Sequence, residues 1–429
     1  MLDPRTLPSR RWREIHTATV EAVAEGADHV LRPGLQSQLV VTVDGTPVEY
    51  VRVADPGPVA GDALERAAVH AHGDAQRARA FVVERLRRRL GASRTVAPAL
   101  SISVVMCTYR RPAAVAGALA ALARLDPAPL EVVVVDNDPA PSRLRELVEA
   151  HGARYVREEQ RGLNSARAVG ARAARGDVVA FVDDDCVAPP TWLRSLPRLF
   201  ADSTVGAVTG PGFAYELVTR PQVRRERVAS FFKELRPRRY DWTGVWPVHS
   251  GRVGTGADMA FRRSLVGELD PLFPGELDAG TPTRSGGDLY ALYRVLAAGW
   301  RVAYEPDAYF LHRHPRGWDG LHATIRGYGM GLGAYLAKVA TEERELAVVP
   351  VGRWLWTSCV NAALEQLTGW REPWEVGMRA RYLAAGLAWP GRERGGARGA
   401  SSRDRGWGRR ERRTHCRRPH RFAENQTSR

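Results

Sequence analysis

Residues 176–187 read GDVVAFVDDDCV: an apolar run, Val178-Val179-Ala180-Phe181-Val182, that ends in three consecutive carboxylates, Asp183, Asp184 and Asp185. A short run rich in Val and Phe, bounded by Gly and polar residues, predicts a buried strand. Acids at the carboxyl end of such a strand sit where open α/β sheets bind their ligands. Three adjacent carboxylates repel one another, and burial sharpens the conflict. A divalent cation carrying phosphate oxygens relieves it, since Mg²⁺-type sites use one or two carboxylates plus substrate phosphates. The other reading is a solvated acidic turn, with Asp185 capping a helix that begins near Pro189 and Pro190. Both stand open on this stretch alone.

Outward from it, the order of elements decides. Residues 101–107 (SISVVMC) predict a first strand, and Pro112 opens a helix running to Arg124. Residues 131–135 (EVVVV) predict a second strand, ending in Asp136-Asn137-Asp138-Pro139. A short helix over 142–150, a strand over 153–156 and a small-residue helix over 163–174 lead into the acidic strand. Strands alternating with helices of this length imply βαβ units and a mostly parallel sheet. Right-handed crossovers then gather the carboxyl ends of the strands on one edge. Thr108-Tyr109-Arg110-Arg111, Asp136 and the three aspartates are expected to converge there.

Composition narrows the class. The 429 residues are 44% hydrophobic and 26% charged, ordinary for a globular chain of more than one domain. No run reaches the roughly 18 apolar residues that span a bilayer. The first residues lack the apolar core of a signal peptide, which predicts a cytoplasmic protein. Cys107, Cys186, Cys359 and Cys416 are scattered and suggest neither disulfides nor zinc. Residues 391–429 carry 13 Arg against 4 acids, and so supply +9 of the formal charge of +15. That tail, rich in Gly and Arg, reads as a disordered, solvated appendage. Its basicity gives weak grounds for nucleic acid as a partner.

The loops suit a nucleoside diphosphate. Thr108, Tyr109 and Arg110 offer donors and a ring, Asp136 and Asn137 would meet a base or ribose, and Arg161, Asn164 and Arg167 add charge and donors. Asp136 starting an Asx-turn is the bland alternative. Neither G-x-G-x-x-G nor GK[ST] occurs, which excludes a dinucleotide fold and a P-loop ATPase. In the second half, residues 205–209 predict a strand and 220–241 a basic helix or loop. Gly254-Thr255-Gly256 precedes a short strand, where glycine permits close backbone approach to a ligand. Gly286-Gly287-Asp288 opens a helix with an apolar face formed by Leu289, Leu292, Val295 and Leu296. Asp288 there is either an N-cap or a general base aimed into the cleft. Tyr309-Phe310-Leu311 ends in His312-Arg313-His314, which offers a metal ligand.

Together, SVVMCTYRRP, VVVVDNDP, RGLNSARAVGARAARGDVVAFVDDDCVAPPTWL, GTGADMAFRR and GGDLYALYRVLAAGWRVAYEPDAYFLHRHP resemble family 2 glycosyltransferases, over residues 101–320. The resemblance implies a GT-A fold: α/β, a mostly parallel sheet flanked by helices. It further implies a nucleotide-sugar donor, a divalent metal (Mn²⁺ or Mg²⁺) and inversion at the anomeric carbon. Asp183 and Asp185 look like the D-x-D pair, with Asp185 the nearer metal ligand, Asp184 beside the nucleotide and His312 a further ligand. Thr108, Arg110 and Asp136 look like nucleoside contacts. Asp288 takes the place of the acceptor-activating Asp. Gly287 stands where the family usually has Glu, and Asp258 where Asn is usual; with Gly256, both are expected near the donor sugar or acceptor.

The implied organisation is an accessory domain over 1–99 with a hairpin at Asp44-Gly45 and a helix over 64–90. A catalytic domain follows over 100–320, then a helical extension over 321–390 and the Arg-rich tail over 391–429. Trp354, Trp356 and Trp370 in the extension favour packing, with peripheral contact at the inner face of the membrane as the lesser reading. The acceptor (small molecule, glycan or lipid-linked) stays open. Two rivals remain: a non-catalytic nucleotide- or RNA-binding protein on a transferase-like core, and a D-x-D phosphatase, which would need Lys233 or Lys338 at its phosphate.

Overall fold

The computed structural model describes residues 15–21, 36–43, 46–53, 99–140, 143–343 and 373–388. Three strands come first: β1 (Ile15–Glu21), β2 (Gln36–Val43) and β3 (Thr46–Val53). Alternation follows, as β4 (Ile102–Thr108), α1 (Pro112–Leu122), β5 (Glu131–Asp136), α2 (Leu144–Ala150), β6 (Arg154–Arg157), α3 (Leu163–Ala173) and β7 (Val178–Asp183). Next come β8 (Cys186–Val187), α4 (Leu196–Phe200), β9 (Val205–Thr209), β10 (Gly212–Ala214), α5 (Arg220–Ala229), β11 (Arg238–Tyr240) and β12 (Asp258–Arg262). The rest are α6 (Ser264–Glu268), α7 (Gly287–Ala297), β13 (Arg301–Tyr304), β14 (Phe310–His312), α8 (Trp318–Glu342) and α9 (Pro373–Leu387).

The central sheet has eight strands in the order β11-β13-β9-β12-β7-β4-β5-β6. β12 runs antiparallel to both β7 and β9, and β11 runs antiparallel to β13; the other pairings are parallel. This is the mostly parallel α/β sheet flanked by helices that the sequence implies. Helices cover both faces, so the strands read as continuous apolar runs rather than alternating ones. Alternation survives in where each side chain goes. Val104, Met106, Val134, Ala180 and Val182 pack with α1 on one face. Val105, Val133, Val135, Val179 and Phe181 pack with α3 and α7 on the other. Helix α3 lies close because it is small: a Cβ at Gly170 would come 2.5 Å from Val105 Cγ1.

Register then places the chemistry. Thr108 pairs with Asp136 and Cys107 with Asp183, so three loops leave the sheet side by side. A second sheet, β10-β14-β8, sets His312 opposite Cys186 and therefore beside Asp185. The expected hairpin forms, with β2 antiparallel to β3, and Tyr50 packs against Phe213 and Phe232 at 5.0 and 4.5 Å between ring centroids.

One expectation fails locally. No helix begins near Pro189 or Pro190; turns carry the chain to α4, which starts only at Leu196. Prolines at 189 and 190 hold residues 188 and 189 out of the α region, so Asp185 caps nothing there. The glycines at 327, 329, 331 and 333 lie inside α8. They are small for packing: a Cβ at Gly333 would meet Leu383 O in α9 at 2.3 Å. The expected helix over 64–90, the tryptophans at 354, 356 and 370, and the tail lie outside the described residues. Among the described residues, no helix is long and apolar enough to cross a membrane.

Candidate functional site

A cleft of about 330 Å³ opens at the carboxyl edge of β4, β5 and β7. Thr108, Tyr109, Arg111, Asn137, Arg161, Asp183, Asp184 and Asp185 line it, with Ala279 and Gly280. The guanidiniums of Arg110 and Arg161 lie 5.1 and 5.0 Å from the Tyr109 ring centroid. Asn137 is spent on the scaffold. Its amide donates to Glu158 O and Gln160 O, and its oxygen accepts from Gly162 N, which fixes the loop carrying Arg161.

Four other predicted residues lie off the cleft wall. Asp136 is buried, accepting from Tyr155 Oη at 2.9 Å and from the Asp138 backbone N–H at 3.1 Å, an Asx-turn. Arg110 adopts φ 58° and turns out to Asp138 at 2.8 Å. Asn164 lies beneath, donating to Pro274 O. Arg167 is buried below Asp183: it reaches Asp278 at 2.7 Å, Gly256 O at 3.1 Å and Asp183 at 3.5 Å. The arginine that faces the acids from the cleft is Arg111, 2.9 Å from Asp184 and 3.0 Å from Asp185. Sequence reasoning brought Arg111 to this edge without giving it a role, and missed Asp278.

The acidic turn is electrostatically loaded. Burial pushes Asp183 up to about 7 against the pull of Arg167, with Asp185 and Asp184 adding to the rise. Burial also raises Asp184, opposed by Arg111 and by Thr108, whose hydroxyl donates to it at 2.6 Å. Added positive charge would relieve both. Asp185, Cys186 and His312 place ligand-type atoms within 4.8 Å of one another, and Asp183 falls outside that group. Burial holds the Cys186 thiol well above its ordinary range, and a soft sulfur donor suits a hard, oxygen-seeking cation poorly. Burial pushes His312 down to about 3, which leaves a neutral imidazole beside a carboxylate. An oxygen and a neutral nitrogen fit a hard divalent cation that completes its shell with phosphate oxygens.

Across Arg167 lies Asp288. Gly286, at φ 100°, is the N-cap of α7, so Asp288 is the second helical residue and not the cap. Its Oδ2 accepts from the Gly256 backbone N–H at 2.8 Å. A Cβ at Gly256 would lie 2.7 Å from Asp288 Cβ, so only glycine leaves this contact intact. At Gly287 a Cβ would come within 2.4 Å of both Asn164 side-chain termini. The usual Glu has no room there. Neither lysine serves a phosphatase: Lys233 donates to Gly251 O, and Lys338 to Glu276 and Glu342.

Asp258 faces away from the cleft, since strand alternation puts it with Ala260, where Trp192 Nε1 donates to it at 3.0 Å. Burial raises its carboxyl to about 8 against that hydrogen bond. A carboxyl raised on folding stabilises fully below its unfolded value near 4, and that contribution is lost as pH rises through about 8. Asp258→Asn keeps the acceptor for Trp192 and cannot ionise. Its Tm relative to the parent is expected to rise steadily from pH 5 to pH 8. An equal change at both pH values, read by differential scanning fluorimetry, would show that Asp258 does not ionise in this window.

The model of glycosyl transferase family 2 matches residues 103–269. The succinoglycan biosynthesis protein ExoM of Rhizobium meliloti is 32% identical over 221 residues, 49% of this chain and 66% of that protein. A pre-mycofactocin glycosyltransferase of Mycobacterium tuberculosis is 30% identical over 188 residues, 43% of this chain and 38% of its own length. The chain thus spans between 38% and 66% of the length of these two relatives. Among solved structures, a Pyrobaculum calidifontis mannosyltransferase in complex with GDP-Man and Mn²⁺ matches with a TM-score of 0.41 and 24% identity, over 77% of this chain and 94% of that one. A likeness of that degree carries no argument about chemistry. Through residues 103–269, the chain belongs to glycosyl transferase family 2.

Proposed function

We propose that this protein moves a sugar from a nucleoside-diphosphate sugar to an acceptor hydroxyl, by metal-dependent displacement with inversion. The observation that carries the reading is the Asp183–Asp185 turn, set at the carboxyl edge of the sheet in a cleft that also holds Tyr109, Arg111 and Arg161. Tyr109 offers an aromatic ring to the base. Arg111 and Arg161 bring positive charge to the diphosphate. Asp185 and His312 would hold Mn²⁺ or Mg²⁺, which there would neutralise charge on the departing diphosphate. Arg167 compensates Asp183 from below and leaves its upper face to the donor. Asp288, held by Gly256, takes the proton of the attacking hydroxyl; positioned bases contribute about 10²–10⁴-fold. Residues 100–320 carry this chemistry, and the relatives' names agree with sugar transfer while leaving the acceptor open.

Thermal shift against UDP, GDP, ADP, CDP and dTDP, with and without Mn²⁺, tests the donor site. Ligand that binds the folded state raises its apparent stability by mass action. One diphosphate is expected to raise Tm in a Mn²⁺-dependent way, and Asp185→Ala to lose that response. No shift with any of the five would refute the reading.

A further inference from the structure

Four side chains form a line leading away from the acidic turn into the interior. His312 Nε2 lies 3.4 Å from Asp185 Oδ1. His312 Nδ1 is 2.9 Å from His314 Nδ1, and His314 Nε2 is 2.9 Å from Glu226 Oε2. The other Glu226 oxygen accepts from Ser230 Oγ at 2.6 Å. His314 and Glu226 are both buried. The nucleotide chemistry above uses neither.

Local sequence builds this line. Thr219 and Gln222 form a capping box that starts α5. Gln222 Nε2 then reaches the backbone oxygen of His314 at 3.2 Å. Glu226, four residues on and so on the same face of the helix, meets the His314 ring. One helix face thereby grips both the backbone and the imidazole of a single residue.

Hydrogen-bonding roles propagate along the line without freedom. A metal-binding imidazole is neutral, with one N–H and one lone pair, and the 2.9 Å contact between the two Nδ1 atoms admits a single proton. A carboxylate only accepts, hence His314 carries its proton on Nε2. Its Nδ1 is then an acceptor, and the 2.9 Å contact puts the His312 proton on Nδ1. His312 Nε2 is left with a lone pair. It faces a carboxylate oxygen that also offers only lone pairs, and a cation reconciles the two.

We propose that Glu226 and His314 are positioning residues that hold His312 in the Nδ1–H tautomer and so present its Nε2 lone pair beside Asp185. The inference rests on the reading that Asp185 and His312 hold a divalent cation. Partners of this kind orient a metal-binding imidazole and raise its basicity; their loss typically weakens metal binding about 10–100-fold.

Side-chain ¹⁵N NMR of the full chain without metal reads the tautomer directly, with His312 assigned from a His312→Ala spectrum. Protonated Nδ1 and bare Nε2 are expected. In Glu226→Gln the amide oxygen keeps Ser230 and the amide N–H faces His314. Each proton should then move by one ring nitrogen, leaving His312 as Nε2–H. Mn²⁺ titration followed by electron paramagnetic resonance should show about 10–100-fold weaker binding in that variant. A wild-type His312 protonated on Nε2 overturns the proposal, and this spectrum needs no folded variant. Unchanged Mn²⁺ affinity in a folded Glu226→Gln overturns it too. If wild-type protein binds no Mn²⁺, the cation reading fails, and the proposed presentation of His312 to a metal fails with it, even where the spectrum shows the Nδ1–H form.

Discussion

Asp288→Asn is expected to cut turnover by about 10²–10⁴-fold while leaving the Mn²⁺-dependent response to nucleoside diphosphate unchanged. Asparagine has the volume of aspartate, and its oxygen still accepts from the Gly256 N–H that now lies 2.8 Å from Asp288. What it lacks is a basic oxygen for the acceptor proton. Loss confined to kcat, with donor KM unaltered, marks an interaction made in the transition state rather than in binding. Diphosphate release from the donor that the thermal panel selects, measured with acceptor present, reads the effect. Near-normal release would remove Asp288 as base and leave the donor site standing. Loss of the diphosphate response as well would mean that Asp288 builds the donor site through Gly256 and Arg167.

The parts legible in the sequence are those with one dominant cause. A strand covered on both faces must be apolar throughout, and VVMC, VVVV and VVAFV announced β4, β5 and β7. Acids at the ends of such strands had few places to go but the ligand edge. What stayed hidden depends on backbone turns or distant partners. Arg110 and Arg111 are adjacent and chemically identical, yet φ 58° at Arg110 sends it outward and leaves Arg111 facing the acids. Asp278 sits in a loop with no periodic pattern and meets Arg167 from 111 residues away. The departure at Gly287 looked like a lost side chain; it is a packing constraint set by Asn164. The Glu226–His314–His312 line joins a helix to a strand end with no motif between them. Its one trace is the spacing of Gln222 and Glu226.

Arg167→Met is expected to be the most destabilising of these changes. The guanidinium is 3% exposed and ties together two carboxylates and a backbone oxygen: Asp278, Asp183 and Gly256. Methionine fills much of the same space, so the loss is mainly of charge and hydrogen bonds. Burial already raises both carboxyls against the pull of Arg167, and without it both lose the charge that opposes that rise. Removing one partner of a buried pair costs about 3–5 kcal/mol. At roughly 2–4 °C per kcal/mol for larger domains, Tm should fall on the order of 10 °C. Adding Asp278→Asn removes one of the stranded charges, so the double variant should be less destabilised than the sum of the singles, as for residues in one network. Arg167→Lys should rescue little, because a single ammonium cannot reproduce the planar fork that spans three acceptors. A Tm within a degree or two of the parent in Arg167→Met would mean that solvent or Arg111 compensates the acidic turn. The floor of the cleft would then be held by packing alone.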